Sequence, residues 1–74
     1  MAIFFTKHAK LRIKQRSIFK EQVEETIYAP ESSLPSFQKR ELLRKTFAEK
    51  ILEVVIIREK SDIIVLTAYW LKEI

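Results

Sequence analysis

The sequence predicts an α+β domain in which two N-terminal helices pack on one face of a three- to four-stranded antiparallel sheet. Three observations carry that prediction. Apolar residues recur at helical spacing as far as Tyr28. Beyond Lys39 the period changes to three β-rich runs joined by short polar links. Helices that precede a run of strands, rather than alternating with them, segregate to one side of an antiparallel sheet. The 74 residues suffice for one domain, residues 1–74, with a core that buries only about 60% of the surface its unfolded chain exposes. Hydrophobic residues make up 47% of the chain and cluster in these segments, which argues for folding rather than disorder.

Each element follows from local chemistry. Ala2 to Phe5 is apolar and short, and reads as a lead-in beneath the first helix in preference to an edge strand. Thr6 stands at an N-cap position, and Lys7 to about Arg16 contains neither Pro nor a β-branched run, so it forms helix one. Ser17 to Phe19 breaks the pattern; Glu21 to Tyr28, with Val23 and Ile27 at i, i+4, forms helix two before Pro30 ends it. Ser32 to Lys39 mixes Ser and Pro with Leu34 and Phe37, as a loop or a ragged first strand does. Leu42 to Phe47, Ile51 to Ile57 and Ile63 to Leu71 make a meander. Val54 to Ile57 lacks alternation, as in a central strand with the helices on one face and room for a partner on the other. Glycine is absent, so tight turns at positive φ lack their usual residue and longer loops are expected.

Composition removes several kinds of function. Without cysteine there is no disulfide scaffold, thiolate metal site or cysteine nucleophile, and one His alone does not make a structural zinc site. No metal or cofactor is implied. The apolar runs are too short to span a bilayer or to act as a signal core, so a cytoplasmic location and no membrane partner are expected. The net charge of +4 hides an asymmetry. Every charged residue up to Lys20 is basic, whereas Glu21, Glu24, Glu25 and Glu31 follow without an intervening base. A second basic cluster, Lys39, Arg40, Arg44 and Lys45, opens the sheet, so two positive strips face a polyanion. The plainer alternative is that the two helices attract one another and the lysines merely solvate the surface.

Helix one gives the sharpest signal. At roughly 100° per residue, Lys7, Lys10 and Lys14 share one side. His8, Arg12 and Arg16 fall opposite them, flanked by Phe5, Ala9 and Ile13 on one edge and by Leu11 on the other. A surface helix ordinarily puts apolar residues in the stripe facing away from its lysines. The three cations are therefore expected to turn inward and to require an anionic partner. That partner is either internal, Glu53 or strand-end carbonyls, or an external phosphate, for which Arg offers a two-donor fork and His a proton donor or acceptor near neutral pH. Three such groups on successive turns favour phosphate, as on the backbone of a nucleic acid.

The run His8-Ala9-Lys10-Leu11-Arg12-Ile13-Lys14-Gln15-Arg16-Ser17-Ile18, followed by Val23-Glu24, resembles the opening motif of a family of small prokaryotic proteins catalogued as domain of unknown function 4258. Arg44 to Trp70 fits that family's strand-rich second half. Ser17 stands where the family usually has Gly, and Phe19 where it has a helix-capping Ser. Such proteins are more distantly similar to the RelE and ParE toxins, compact helix-helix-sheet domains that include RNA-cleaving members and are neutralised by an antitoxin peptide. The resemblance implies a RelE-like toxin of a toxin-antitoxin pair, a metal-independent endoribonuclease with an acidic antitoxin partner, although ParE-type relatives act on gyrase.

Metal-free RNA cleavage needs a base for the 2′-hydroxyl, cations for the phosphorane and an acid for the leaving oxygen. On that chemistry His8 is assigned as base or acid, Arg12 and Arg44 as phosphate clamps, and Tyr69 as a second proton donor or a stacking platform. Arg16, Lys39, Arg40 and Lys45 would contact flanking phosphates, and Trp70 or Phe37 would stack on a base. Against this, Trp70, Phe47 and Phe5 suit core anchoring in so small a domain. Tyr69 and Trp70, being adjacent on a strand, must point to opposite faces. The alternative function is a non-catalytic nucleic-acid-binding or protein-interaction module.

Overall fold

A computed structural model describes residues 1–71. The chain runs β1 (Ile3–Phe5), α1 (Lys7–Gln15), α2 (Lys20–Tyr28), β2 (Ser32–Pro35), a 3-10 turn (Phe37–Lys39), β3 (Glu41–Phe47), β4 (Lys50–Glu59) and β5 (Asp62–Leu71). The strands form one five-stranded sheet in the order β1-β5-β4-β3-β2. The α+β class is as expected, but the sheet is mixed, not a three- to four-stranded antiparallel one. Ile3, Phe4 and Phe5 pair in parallel with Ile63, Ile64 and Val65, so the segment read as a lead-in is an edge strand. Its stabilising contacts lie 60 residues away along the chain, Ile63 N–H to the Ala2 carbonyl (2.9 Å) and Thr6 N–H to the Val65 carbonyl (3.1 Å). Ser32–Pro35 is the opposite edge strand, antiparallel to β3.

The helices lie on one face. Ala9, Ile13, Ile18, Val23 and Ile27 close over Leu43, Leu52, Val54, Ile56, Ile63, Val65 and Ala68, with Ile3, Phe5, Phe47 and Trp70 at the margin. A bulge sets which β5 side chains join them. Val55 pairs with Thr67 but Ile56 with Val65, leaving Leu66 as the extra residue. Its insertion reverses the alternation, so Ala68 and Trp70 share the helix face with Val65, while Thr67 and Tyr69 turn to the uncovered face. With strict alternation Tyr69 would have pointed into the core.

Thr6 caps α1 as its position demands, its hydroxyl accepting from Ala9 N–H (3.0 Å). The other end closes in a Schellman motif, with Ile18 N–H on the Ile13 carbonyl (2.9 Å) and Ser17 N–H on the Lys14 carbonyl (3.4 Å). Ser17 consequently sits at φ 55°. α2 begins at Phe19, which has no side-chain oxygen to offer; only its own N–H is satisfied, by Gln22 Oε1 (2.9 Å). Ser17→Gly relieves a left-handed residue and Phe19→Ser supplies a cap, each stabilising by about 0.5–1 kcal/mol. The double variant is expected to melt several degrees higher in a thermal scan followed by circular dichroism.

The expectation of long turns is also corrected. Phe47 pairs with Lys50 and Glu59 with Asp62, so both hairpins close on two residues, Ala48-Glu49 and Lys60-Ser61. Ala48 and Lys60 each take φ 56°. The register of three packed strands leaves no slack for a longer loop, and the strain is carried by non-glycine residues. Among the described residues, no helix is long and apolar enough to cross a membrane.

Candidate nucleic-acid interface

Beyond Val65 the outer edge of β5 has no strand partner, and α1 runs along it. Its inward residues are Ala9, fully buried, and Ile13, nearly so. Two small contacts suffice because the helix leans on a strand edge rather than lying across the sheet. The expected inward orientation of the cations is thereby corrected: His8 and Arg16 are exposed and Arg12 is half-buried. They form a row beside the packed stripe.

The row has an order imposed by its neighbours. Arg12 Nε lies 3.4 Å from His8 Nε2, and Arg12 Nη1 donates to Gln15 Oε1 (3.0 Å). At the last turn the Arg16 guanidinium crosses the strand edge, donating to the Ala68 carbonyl (2.9 Å) and approaching Thr67 Oγ1 (3.4 Å). It ends 5.9 Å from the centre of the Tyr69 ring on the uncovered face. Among the described residues, no carboxylate lies within ion-pair distance of His8, Arg12 or Arg16, and no ion pair joins α1 to α2. Glu53, the internal partner the sequence offered, is engaged elsewhere.

Pairing across three strands sets Arg44, Glu53 and Tyr69 side by side. Arg44 Nε donates to Glu53 Oε1 (2.6 Å), and the Tyr69 hydroxyl donates to Glu53 Oε2. The carboxylate is 3% exposed, and its two partners neutralise and satisfy it. Burial first, then the Glu53 hydrogen bond and charge, push the Tyr69 hydroxyl up to about 12, while Arg44 and Arg16 pull in the other direction. The phenol therefore keeps its proton, and that proton is directed at Glu53. An alkaline spectrophotometric titration should show Tyr69 ionising near 12, and Glu53→Gln should bring it down toward 10. The folded-state value is raised, so this group's contribution to stability is complete below about pH 10, the ordinary tyrosine value, and is lost as pH rises through about 12.

The structure thus divides the four expected catalytic residues into two pairs. His8 and Arg12 stand together on α1; Arg44 and Tyr69 are joined through Glu53 on the sheet. The second basic cluster does not form one strip. Lys39 and Arg40 lie at the β2–β3 connection, on the far side of the sheet, where Arg40 bonds Gln38 Oε1 (2.8 Å) and covers the Phe37 ring at 5.4 Å. Lys45 points to the helix side and donates to the Ala29 carbonyl at the end of α2 (2.9 Å), with Glu25 4.0 Å away. Alternation along β3 separates it from Arg44.

Sequence reasoning passed over Lys50 and Gln22. Both line a cleft of about 810 Å³ on the other side of Arg16, together with Phe47, Glu49 and Trp70. Trp70 is fixed there by its indole N–H, which donates to the Arg16 carbonyl (3.2 Å), and by the edge of Phe47. The usable signal was the Phe47 to Lys50 hairpin, which sets a cation opposite the aromatic pair. No group of three metal-binding side chains occurs among the described residues.

These features define a small basic α+β domain with a cationic helix laid along the open edge of a mixed sheet. Residues 5–70 match the family described as Domain of unknown function (DUF4258), and the chain belongs to that family. No curated protein and no solved structure matches the chain.

Proposed function

We propose that this domain binds the phosphate backbone of RNA along α1 and over the edge of β5. The observation that carries the reading is the row His8, Arg12 and Arg16, three nitrogen-rich side chains accessible to solvent and, among the described residues, without a carboxylate partner. Successive members one helical turn apart, about 6 Å, follow the spacing of consecutive phosphates in an extended strand closely enough for each to meet one, the two arginines through their planar forks. Arg44 is already neutralised by Glu53 and contributes its remaining guanidinium donors rather than a free charge.

A catalytic reading rests on one contact, His8 Nε2 beside Arg12 Nε, which unites a proton acceptor with a phosphate clamp on an open surface. The likeness to RelE and ParE toxins supports the same reading, a metal-independent endoribonuclease held in check by an acidic antitoxin that a net charge of +4 would attract. In it, His8 takes the 2′-hydroxyl proton, Arg12 stabilises the phosphorane, and the leaving 5′-oxygen gains its proton from solvent water or from the His8 imidazolium. Tyr69 serves through its ring beneath Arg16, because its proton is committed to Glu53.

The test is a labelled single-stranded RNA incubated in chelator. Salt-sensitive binding that Arg12→Ala and Arg16→Ala weaken supports the binding domain. Cleavage abolished by His8→Ala with binding retained supports the enzyme, and binding without cleavage leaves the non-catalytic module.

A further inference from the structure

The cleft beside Trp70 adjoins the last member of the helix row, Arg16, and otherwise holds a different set of groups. One wall is the α1–α2 corner, with Arg16 and Gln22; the other is the β3–β4 hairpin, with Phe47, Glu49 and Lys50. Trp70 forms the floor. Its indole is clamped at one end by the hydrogen bond to the Arg16 carbonyl and braced by Phe47 at a ring separation of 6.3 Å and an angle of 83°. Its ring is only half-buried, and the cover over it is the exposed Lys50 ammonium, 5.6 Å from the ring. An exposed ammonium on an aromatic face is held weakly and is displaced without loss when it gains an anionic partner nearby.

A hydrogen-bonded indole, an exposed cation beside it, and amide and carboxylate side chains lining the same cleft are the groups that recognise a nucleotide. The ring offers a stacking surface, Lys50 meets the phosphate, and Gln22 and Glu49 present an acceptor and donor set to base or sugar edges. The volume, about 810 Å³, suits a ligand of that size, since small-molecule pockets run from about 300 to 1,000 Å³. We propose that this cleft seats one unpaired nucleobase of the bound strand, stacked on Trp70, with Lys50 on the adjoining phosphate. The inference deepens the RNA-binding reading and rests on it for the identity of the strand. It also makes single strands the substrate class, because a paired base cannot leave its stack at no cost.

Trp70 is the chain's one tryptophan, so its fluorescence reports on this cleft and on the adjoining Arg16 carbonyl, and the Lys50 variant separates the two. The probes are a single-stranded 12-mer RNA, the same sequence as a duplex, and adenosine 5′-monophosphate. Quenching by the single strand, weaker binding of the duplex, and a loss of about 5- to 100-fold in single-strand affinity for Trp70→Ala are expected. Lys50→Glu, a change at an exposed hairpin position, guards against misfolding of the tryptophan variant. It should weaken both the oligonucleotide and the mononucleotide response. Single-strand binding with unchanged indole emission and no effect of Lys50→Glu overturns the cleft while leaving the α1 reading intact. If no oligonucleotide binds even at low salt, the α1 reading fails instead. Mononucleotide quenching abolished by Lys50→Glu then still supports the cleft, and its absence overturns the cleft too.

Discussion

Glu53→Ala is expected to cost the domain about 3 kcal/mol, read as a lower urea midpoint and a lower melting temperature. Breaking a buried ion pair by removing one partner costs about 3–5 kcal/mol. The lower end applies because the Arg44 side chain is 38% exposed and rehydrates in part. The loss has two sources. Arg44 keeps its charge over the sheet without a counter-ion, and the Tyr69 hydroxyl loses its only acceptor on the strand beside it. A small domain has a stability near the bottom of the usual range of about 5–15 kcal/mol, so a single such change removes a large fraction of it. Glu53→Gln keeps an acceptor for Tyr69 and should cost roughly half as much.

The informative comparison is the triple variant Arg44→Met, Glu53→Leu, Tyr69→Phe, which leaves no member of the network without its partner. Replacing a buried pair by apolar groups of similar volume is neutral or stabilising by as much as about 4 kcal/mol, so this variant should unfold in urea at or above the wild-type midpoint although each single change lowers it. That ordering would identify the network as an orienting device on the uncovered face, retained for Arg16 and Tyr69 rather than for stability. A Glu53→Ala midpoint equal to wild type would show that the carboxylate is not holding its neighbours.

How much of this was legible in the sequence depended on the distance over which each signal acts. Thr6, Pro30 and the i, i+4 pair Val23 and Ile27 act within one or two turns, and both helices lie where those residues put them. The three β-rich runs likewise became β3, β4 and β5 with only their ends extended. What failed was non-local. β1 exists only through its pairing with β5, 60 residues away, and three apolar residues carry no period that reveals it. The bulge at Leu66 is equally silent, yet it decides that Tyr69 meets Glu53 instead of the core. On α1 the error was one of width. A helical wheel assumes a broad buried face, whereas a helix leaning on a strand edge needs only Ala9 and Ile13, and the cations beside them stay in water. Ser17 and Phe19, the two departures from the family's pattern, turned out to be places where the backbone bears the consequence.

For the interface itself, the double variant Arg12→Ala, Arg16→Ala should bind single-stranded RNA about 100-fold more weakly at low salt. Each guanidinium lost from a phosphate is worth about 1.5 kcal/mol, the lower end for a charged hydrogen bond, and every 1.4 kcal/mol is about tenfold. The slope of log affinity on log salt should flatten by about 0.7 for each contact removed. Lys7→Ala, Lys10→Ala makes the same change in net charge on the opposite side of α1 and should cost less than about fivefold, because only screened long-range attraction is lost. Equal losses for the two pairs would mean that the helix attracts RNA by charge alone and that the row has no special place. Arg12→Lys, Arg16→Lys separates charge from geometry: a point charge keeps the salt slope but cannot form the paired donor contacts of the fork. Affinity between that of the alanine pair and the wild type, with the slope unchanged, is the result that assigns the phosphates to the guanidinium forks.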